Sequence, residues 1–93
     1  MQPLSESEIS ARLPALGPTW RREGDALVAD VECSDFRSAI ALVNRIADEA
    51  ERVNHHPDLL IHGYKHLRIT LTTHAASGIT ENDFGLAAAI DAL

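Results

Sequence analysis

Residues 36–53 constrain the fold most, because their apolar residues recur at helical spacing over about five turns. The apolar positions are Phe36, Ala39, Ile40, Val43, Ile46, Ala47, Ala50 and Val53. Ser34 is a suitable N-cap and Asp35 adds negative charge to the first turn. Pro57 disfavours helical geometry at the residue before it, so the helix is predicted to end near Asn54. A helix with one apolar face needs an apolar surface to cover.

Alternating apolar and polar residues predict the sheet that supplies this surface. Residues 19–32 form two short strands joined by a turn at Gly24-Asp25, and the only tryptophan, Trp20, is expected in the core. Residues 59–61 and 65–73 predict two more strands. In the longer one, the apolar residues on one face are Leu67, Ile69 and Leu71. Hairpin-like connections imply that the sheet is antiparallel.

Two capping boxes mark the remaining helices. Ser5 with Glu8 begins a helix over residues 5–15, and Thr80 with Asp83 begins a final helix that runs to about Ala92. The predicted fold class is α+β, a two-layer sandwich in which three helices cover a four-stranded antiparallel sheet, in the order α-β-β-α-β-β-α. The 93 residues suffice for one domain, 1–93, and self-association is expected to add stability to a domain of this size.

Charge and cysteine content exclude several classes of function. Eight basic against 14 acidic residues give a net charge of −6, and the longest basic run is Arg21-Arg22, which argues against nucleic-acid binding. No apolar stretch has the roughly 18 residues of a membrane span, and the N-terminus lacks a signal-peptide pattern. The single cysteine, Cys33, excludes an intrachain disulfide framework. We therefore expect a cytoplasmic protein that binds neither nucleic acid nor membrane.

The five histidines are the candidates for chemistry. A metal site is disfavoured because adjacent His55 and His56 diverge on most backbones, and no predicted helix carries a His-x-x-x-His pair. General acid-base catalysis suits imidazole, whose ordinary pKa is about 6.5. His55 and His56 follow the long helix and His74 follows the long strand, where clefts are commonly built. The other two, His62 and His66, are expected to face solvent.

Each candidate also has a purely structural interpretation. The His55-His56-Pro57 turn could simply be a hydrogen-bonded helix end, where cationic imidazole is favourable. Glu51 lies one helical turn before His55 and could fix its tautomer, or it could be a solvated charge. Asp83 already has a role in its capping box. Tyr64 could stack on a ligand or cover the sheet.

These residues together resemble the pterin-4a-carbinolamine dehydratases, also called 4a-hydroxytetrahydrobiopterin dehydratases. The family motif asks for an acidic or polar residue, His-His-Pro four positions later, then an aromatic residue, a histidine and an aspartate. The matching residues here are Glu51, His55-His56-Pro57, Tyr64, His74 and Asp83, with Thr73, Trp20 and Asp35-Phe36 also similar. The sequence departs from many relatives at Leu59, where they carry Trp, and at Ser77, where they carry Gly.

The resemblance implies a lyase that removes water from a 4a-hydroxytetrahydropterin to give quinonoid dihydropterin and so recycles a tetrahydrobiopterin-type cofactor. His55 and His74 would act as general acid and base, and His56 would bind and orient the pterin. The residues expected to contact the substrate or orient these imidazoles are Glu51, Pro57, Tyr64, Thr73 and Asp83. No metal or organic cofactor is needed for this reaction.

The resemblance also implies a homodimer or homotetramer. An alternative comes from the same family, because some members act without catalysis as dimerisation cofactors of a transcription factor or as assembly chaperones.

Overall fold

The computed structural model describes residues 2–93, and its elements follow the predicted order. The helices are α1 (Glu6–Arg12), α2 (Phe36–Val53) and α3 (Glu81–Asp91). The strands are β1 (Trp20–Glu23), β2 (Ala26–Glu32), β3 (Asp58–His62) and β4 (His66–Leu71). Short 3₁₀ turns occupy Leu13–Ala15 and His74–Ala76. The α+β class and the order α-β-β-α-β-β-α are confirmed, whereas the assignment of residues 1–93 to one domain stays a prediction.

The four strands form one antiparallel sheet in the order β1-β2-β4-β3. The central pair, β2 and β4, aligns Leu27 with Leu71 and Ala29 with Ile69. β1 and β3 are the edges, each joined by a short turn to its central neighbour. The ends of β3 and β4 that lie away from their hairpin turn are therefore side by side.

One face of the sheet and all three helices build the core. Trp20 is buried, as expected, and its indole nitrogen donates to Asp91 Oδ1 at 2.8 Å. The other oxygen of Asp91 accepts from the Gly17 amide at 2.7 Å, which fixes the end of α3 against the segment before β1. The remaining core residues are Ile9, Leu27, Ala29, Ile46, Ala50, Leu67, Ile69, Leu71, Ile79, Phe84, Leu86, Ala87 and Ile90.

Helix α2 differs from the prediction at its start. Asp35, not Ser34, is the N-cap, because Asp35 Oδ1 accepts from the Ser38 amide at 2.7 Å while the Ser34 hydroxyl pairs with the Ser38 hydroxyl. The hydrogen bond from the Ser38 amide holds the pKa of the Asp35 carboxyl below its ordinary value. A carboxylate at this position also interacts favourably with the helix dipole.

The core covers only part of the apolar stripe of α2. Ala39, Ile46 and Ala50 are buried against the core. Phe36 and Ile40, one turn apart, remain 53% and 39% exposed. One edge of the predicted apolar stripe therefore faces away from the sheet.

The opposite face of the sheet carries charged residues. Asp30 accepts from Arg21 at 2.9 Å and from Arg68 at 2.8 Å across neighbouring strands. On the same face, the rings of His62 and His66 stack with centroids 5.5 Å apart. His62 is exposed and the His66 side chain is 40% exposed, so these two histidines face solvent as predicted.

Candidate functional site

The exit of α2 directs the His55-His56-Pro57 segment away from the helix. Asn54 takes the left-handed conformation, with φ 53° and ψ 46°, which asparagine tolerates better than most residues. The His55 amide donates back to the Ala50 carbonyl at 3.0 Å and closes the helix end. His55 therefore leaves α2 at a fixed angle and reaches α3.

His55 is held by a buried carboxylate. Its Nε2 lies 2.5 Å from Asp83 Oδ1, and the His55 side chain is only 12% exposed. Asp83, in the first turn of α3, is fully buried. A carboxylate in this position fixes both the orientation and the tautomer of the imidazole it contacts.

The second oxygen of Asp83 joins the site to the core. Asp83 Oδ2 accepts from the Thr80 amide at 2.9 Å, which completes the predicted capping box of α3, and from the Thr73 hydroxyl at 2.8 Å. The hydroxyls of Thr73 and Thr80 are themselves 2.8 Å apart. We call Thr73, Thr80, Asp83 and His55 the aspartate network. Asp83 thus both caps α3 and contacts His55.

Glu51 contacts His56, not His55. Glu51 Oε2 lies 2.5 Å from His56 Nε2, and the two side chains are 75% and 60% exposed. Of the two interpretations left open for Glu51, the one in which it fixes the tautomer of His55 does not match this contact. The left-handed turn at Asn54 carries His55 toward α3, and His56 lies over the last turn of α2 in its place.

His74 follows directly after a member of the aspartate network. It is exposed and begins the 3₁₀ turn after β4, while the preceding Thr73 is buried and exchanges backbone hydrogen bonds with Gly78 at 3.0 and 3.4 Å. In the register of β3 and β4, Asp58 lies opposite Thr70. The segments that carry His55 and His74 therefore leave the same end of this strand pair.

The loop that begins at His74 is tightly constrained. Ser77 has a φ of 54°, in the left-handed region that favours glycine. A Cβ on Gly78 would lie 2.9 Å from Pro3 Cβ, so a side chain there would force the N-terminal segment away. The Leu4 amide also donates to the Ile79 carbonyl at 2.8 Å. These contacts hold the loop that positions His74.

Tyr64 is not brought next to the histidines of the same chain. It lies in the turn between β3 and β4, is 61% exposed, and has the Lys65 ammonium 5.8 Å from its ring centroid. β3 separates this turn from His56 and Pro57, and five strand residues at about 3.3 Å each span about 16 Å. The place of Tyr64 in the site stays a prediction.

Two of the hollows on the surface differ in character. A small one of about 120 Å³ lies beside His55. Its other lining residues are Val53, Glu81, Asn82, Gly85 and Leu86. A wider one of about 650 Å³ lies beside the 3₁₀ turn at Leu13–Ala15 and Trp20. Among residues 2–93, the wider hollow has no titratable lining residue and so lacks groups for proton transfer. The hollow beside His55 is the one that adjoins the aspartate network.

Within residues 2–93, no group of three or more His, Cys, Asp or Glu side chains is arranged to hold a metal ion. Across the same residues, no helix combines the length and apolar character of a membrane span.

Comparison with known proteins decides the family. Residues 2–93 match the family described as Pterin 4 alpha carbinolamine dehydratase. The chain belongs to this family. The match covers every element described above, and the resemblance inferred from the histidine motif is confirmed.

Relatives of similar length support the assignment. A protein of Acidobacterium capsulatum, named provisionally as a pterin-4-alpha-carbinolamine dehydratase, is 45% identical over 93 residues, which cover 100% of this chain and 99% of the relative. A protein of Chloroflexus aurantiacus with the same provisional name is 47% identical over 91 residues, covering 98% and 96% of the two chains.

Two solved structures share the fold. The crystal structure of a transcriptional coactivator/pterin dehydratase from Brucella melitensis superposes with a TM-score of 0.89 at 31% identity, covering 98% of this chain and 97% of that one. A pterin dehydratase-like protein identified as a RuBisCO assembly factor in the alpha-carboxysome has a TM-score of 0.66 at 23% identity, with 80% and 87% covered. The second likeness shows the fold alone.

Sequence reasoning missed one member of the aspartate network. Thr80 was identified only as a helix cap, yet its amide binds Asp83 and its hydroxyl contacts Thr73. The capping box predicts the amide contact, but nothing in the sequence indicates that Thr73 lies within reach of it. That contact depends on the 3₁₀ turn and bridge between Thr73 and Gly78.

Proposed function

We propose that this chain dehydrates a 4a-hydroxytetrahydropterin to quinonoid dihydropterin by general acid-base catalysis through His55, His56 and His74. The observation that carries the proposal is the contact between the buried Asp83 and His55, in a network whose member Thr73 directly precedes His74. A largely buried imidazole with a carboxylate partner is the arrangement that orients a histidine for proton transfer. Membership of the family supplies the substrate class.

The reaction needs two proton transfers and no redox partner. A proton is delivered to the hydroxyl on C4a, the carbon-oxygen bond breaks, and water leaves. The proton on N5 is removed, and its electron pair forms the double bond between N5 and C4a. Two imidazoles of opposite protonation state suffice, because one gives a proton and the other receives one.

The proposed roles are those that the family resemblance implies. His55 and His74 flank the 4a-hydroxyl as acid and base, and His56 binds the pterin with its ring oriented by Glu51, 2.5 Å away. Asp83 and Thr73 orient His55 through the aspartate network. Pro57 fixes the path of the chain after His56 through its restricted backbone.

The test is the loss of a synthetic 4a-hydroxytetrahydropterin, followed by ultraviolet absorbance. Wild-type protein is expected to accelerate the loss over buffer, and His74→Ala to reduce the enzymatic rate by about 10²- to 10⁴-fold. His66→Ala is the matched control, because His66 lies on the charged face of the sheet and is expected to leave the rate unchanged. A wild-type rate equal to that of buffer overturns the proposal.

A non-catalytic role is the second candidate. The similar structure from Brucella melitensis is that of a transcriptional coactivator/pterin dehydratase, and α2 of this chain presents the exposed apolar residues Phe36 and Ile40. A chain that serves only as a dimerisation cofactor or assembly chaperone would give the buffer rate in the same assay. It would also tolerate His74→Ala without loss of partner binding.

We propose that the chain forms a homodimer or homotetramer through the exposed edge of α2. Phe36 and Ile40, one helical turn apart, are 53% and 39% exposed there. Large apolar side chains clustered on a surface favour contact with another protein. Light scattering on the wild type and on Phe36→Glu tests this, since the variant is expected to have the smaller mass. The cytoplasm remains the proposed location.

A further inference from the structure

The hydroxyl protons of the aspartate network have only one consistent arrangement. A threonine hydroxyl has one proton to donate and can accept at its lone pairs. Thr73 donates its proton to Asp83 Oδ2 at 2.8 Å. The proton in the 2.8 Å contact between the two threonine hydroxyls must then come from Thr80. Thr80 Oγ1 in turn accepts from the Asn82 amide at 3.2 Å.

Three groups in this arrangement point toward the carboxylate of Asp83. Oδ2 takes the Thr73 hydroxyl and the Thr80 amide, and Oδ1 faces His55 Nε2 at 2.5 Å. An ionised carboxylate only accepts hydrogen bonds, so the proton between Asp83 and His55 is carried by Nε2. Thr73, Thr80 and Asp83 are 7%, 2% and 0% exposed, and a donor left without an acceptor at this depth is costly.

We propose that Thr73 and Thr80 are positioning residues that act through Asp83 to hold His55 in the tautomer with its proton on Nε2. Within residues 2–93, the contact with Asp83 is the only hydrogen bond of the His55 ring, which leaves Nδ1 available. Glu81, the other carboxylate beside His55, is engaged by Arg12 at 2.9 Å. In the last step, Nδ1 of His55 exchanges a proton with the substrate, whether His55 acts as acid or as base. Only this step rests on the proposed function.

The network makes a specific prediction for Asp83→Asn. An amide has one accepting and one donating end, and two donors already point at the position of Oδ2. The asparagine carbonyl takes that position, so its NH₂ group faces His55. His55 must then accept at Nε2 and carry its proton on Nδ1, as in the inverted tautomer produced by the same substitution in a serine protease triad.

The tautomer is measured directly by long-range proton-nitrogen NMR of the ¹⁵N-labelled chain, without substrate. At a pH of about 9, above the ordinary titration range of imidazole, wild-type His55 is expected to show a protonated Nε2 and an unprotonated Nδ1. Asp83→Asn is expected to exchange the two signals. A wild-type ring with its proton on Nδ1 overturns the inference, and so does a folded Asp83→Asn chain that keeps the wild-type tautomer. The wild-type spectrum still tests the predicted tautomer of His55 if the variant does not fold.

Steady-state kinetics then distinguish a positioning role of Thr73 from a general effect on stability. Thr73→Val removes the hydroxyl with little change of shape and is expected to lower kcat about tenfold with little change in KM. Thr73→Ser retains the hydroxyl and is expected to recover most of that loss. Equal losses in both variants, or a change in KM alone, contradict the inference. An inactive wild type whose His55 carries its proton on Nε2 refutes the dehydratase proposal and supports the tautomer.

Discussion

Removal of the Asp83 side chain tests how strongly the candidate site is tied to the fold. Asp83→Ala deletes an acceptor that is fully buried and serves three donors: the Thr80 amide, the Thr73 hydroxyl and His55 Nε2. The Thr73 hydroxyl can still turn to the neighbouring Thr80 hydroxyl, and His55 can reach water through its exposed edge. The Thr80 amide has no such replacement.

The expected cost is set by the Thr80 amide, since the N-cap residue Thr80 itself is retained. A buried donor left without its partner costs about 1–3 kcal/mol. This is a large share of the roughly 5–14 kcal/mol expected for a chain of 93 residues. With a slope of about 2 kcal/mol per molar urea, the unfolding midpoint should fall by about 0.5–1.5 M.

The chain provides a matched control in its other capping box. Glu8 accepts from the Ser5 amide at 2.9 Å, as Asp83 accepts from the Thr80 amide, but Glu8 is exposed. Urea unfolding followed by circular dichroism should show a clearly smaller shift for Glu8→Ala than for Asp83→Ala. Equal shifts for the two variants would refute the argument that burial of the aspartate network dominates the cost.

Two further predictions concern stability. Asp35→Ala should lower the Tm at pH 7, because the Ser38 amide holds the folded-state pKa of Asp35 below its ordinary value of about 3.9. The stabilisation by Asp35 is present above that ordinary value and is lost as the pH falls through the lower folded-state pKa. The difference in Tm between wild type and variant should therefore be smaller in thermal scans at pH 2 than at pH 7. Ser77→Gly should raise the stability by up to about 1 kcal/mol, because Ser77 has a φ of 54°; an unchanged or lower urea midpoint would contradict this.

The elements were predictable because each has a local signal. The apolar stripe of α2, the alternation in β4 and the capping boxes at Ser5 and Thr80 depend on neighbouring residues alone. The strand order has no such local signal, because it depends on how α2 carries the chain from β2 to β3. The exposed edge of α2 was also missed, because periodicity shows that a face is apolar without showing what covers it.

The candidate site was likewise predictable only in part. The motif identified His55, His56 and Asp83 as candidates. The partner of each imidazole depends on the left-handed conformation of Asn54, which asparagine permits but does not require. Contacts between residues far apart in the chain, such as His55 with Asp83 at a separation of 28 residues, require the packed fold.

The central claim is that His55, His56 and His74 form one pterin site, and NMR of the histidine rings tests it most directly. A stable dihydropterin, which lacks the 4a-hydroxyl, is titrated into the labelled chain. The account predicts that the ring signals of these three histidines shift together with one Kd, while those of His62 and His66, stacked on the charged face of the sheet, stay fixed. Shifts confined to His62 and His66, or three unrelated titration curves, would contradict it.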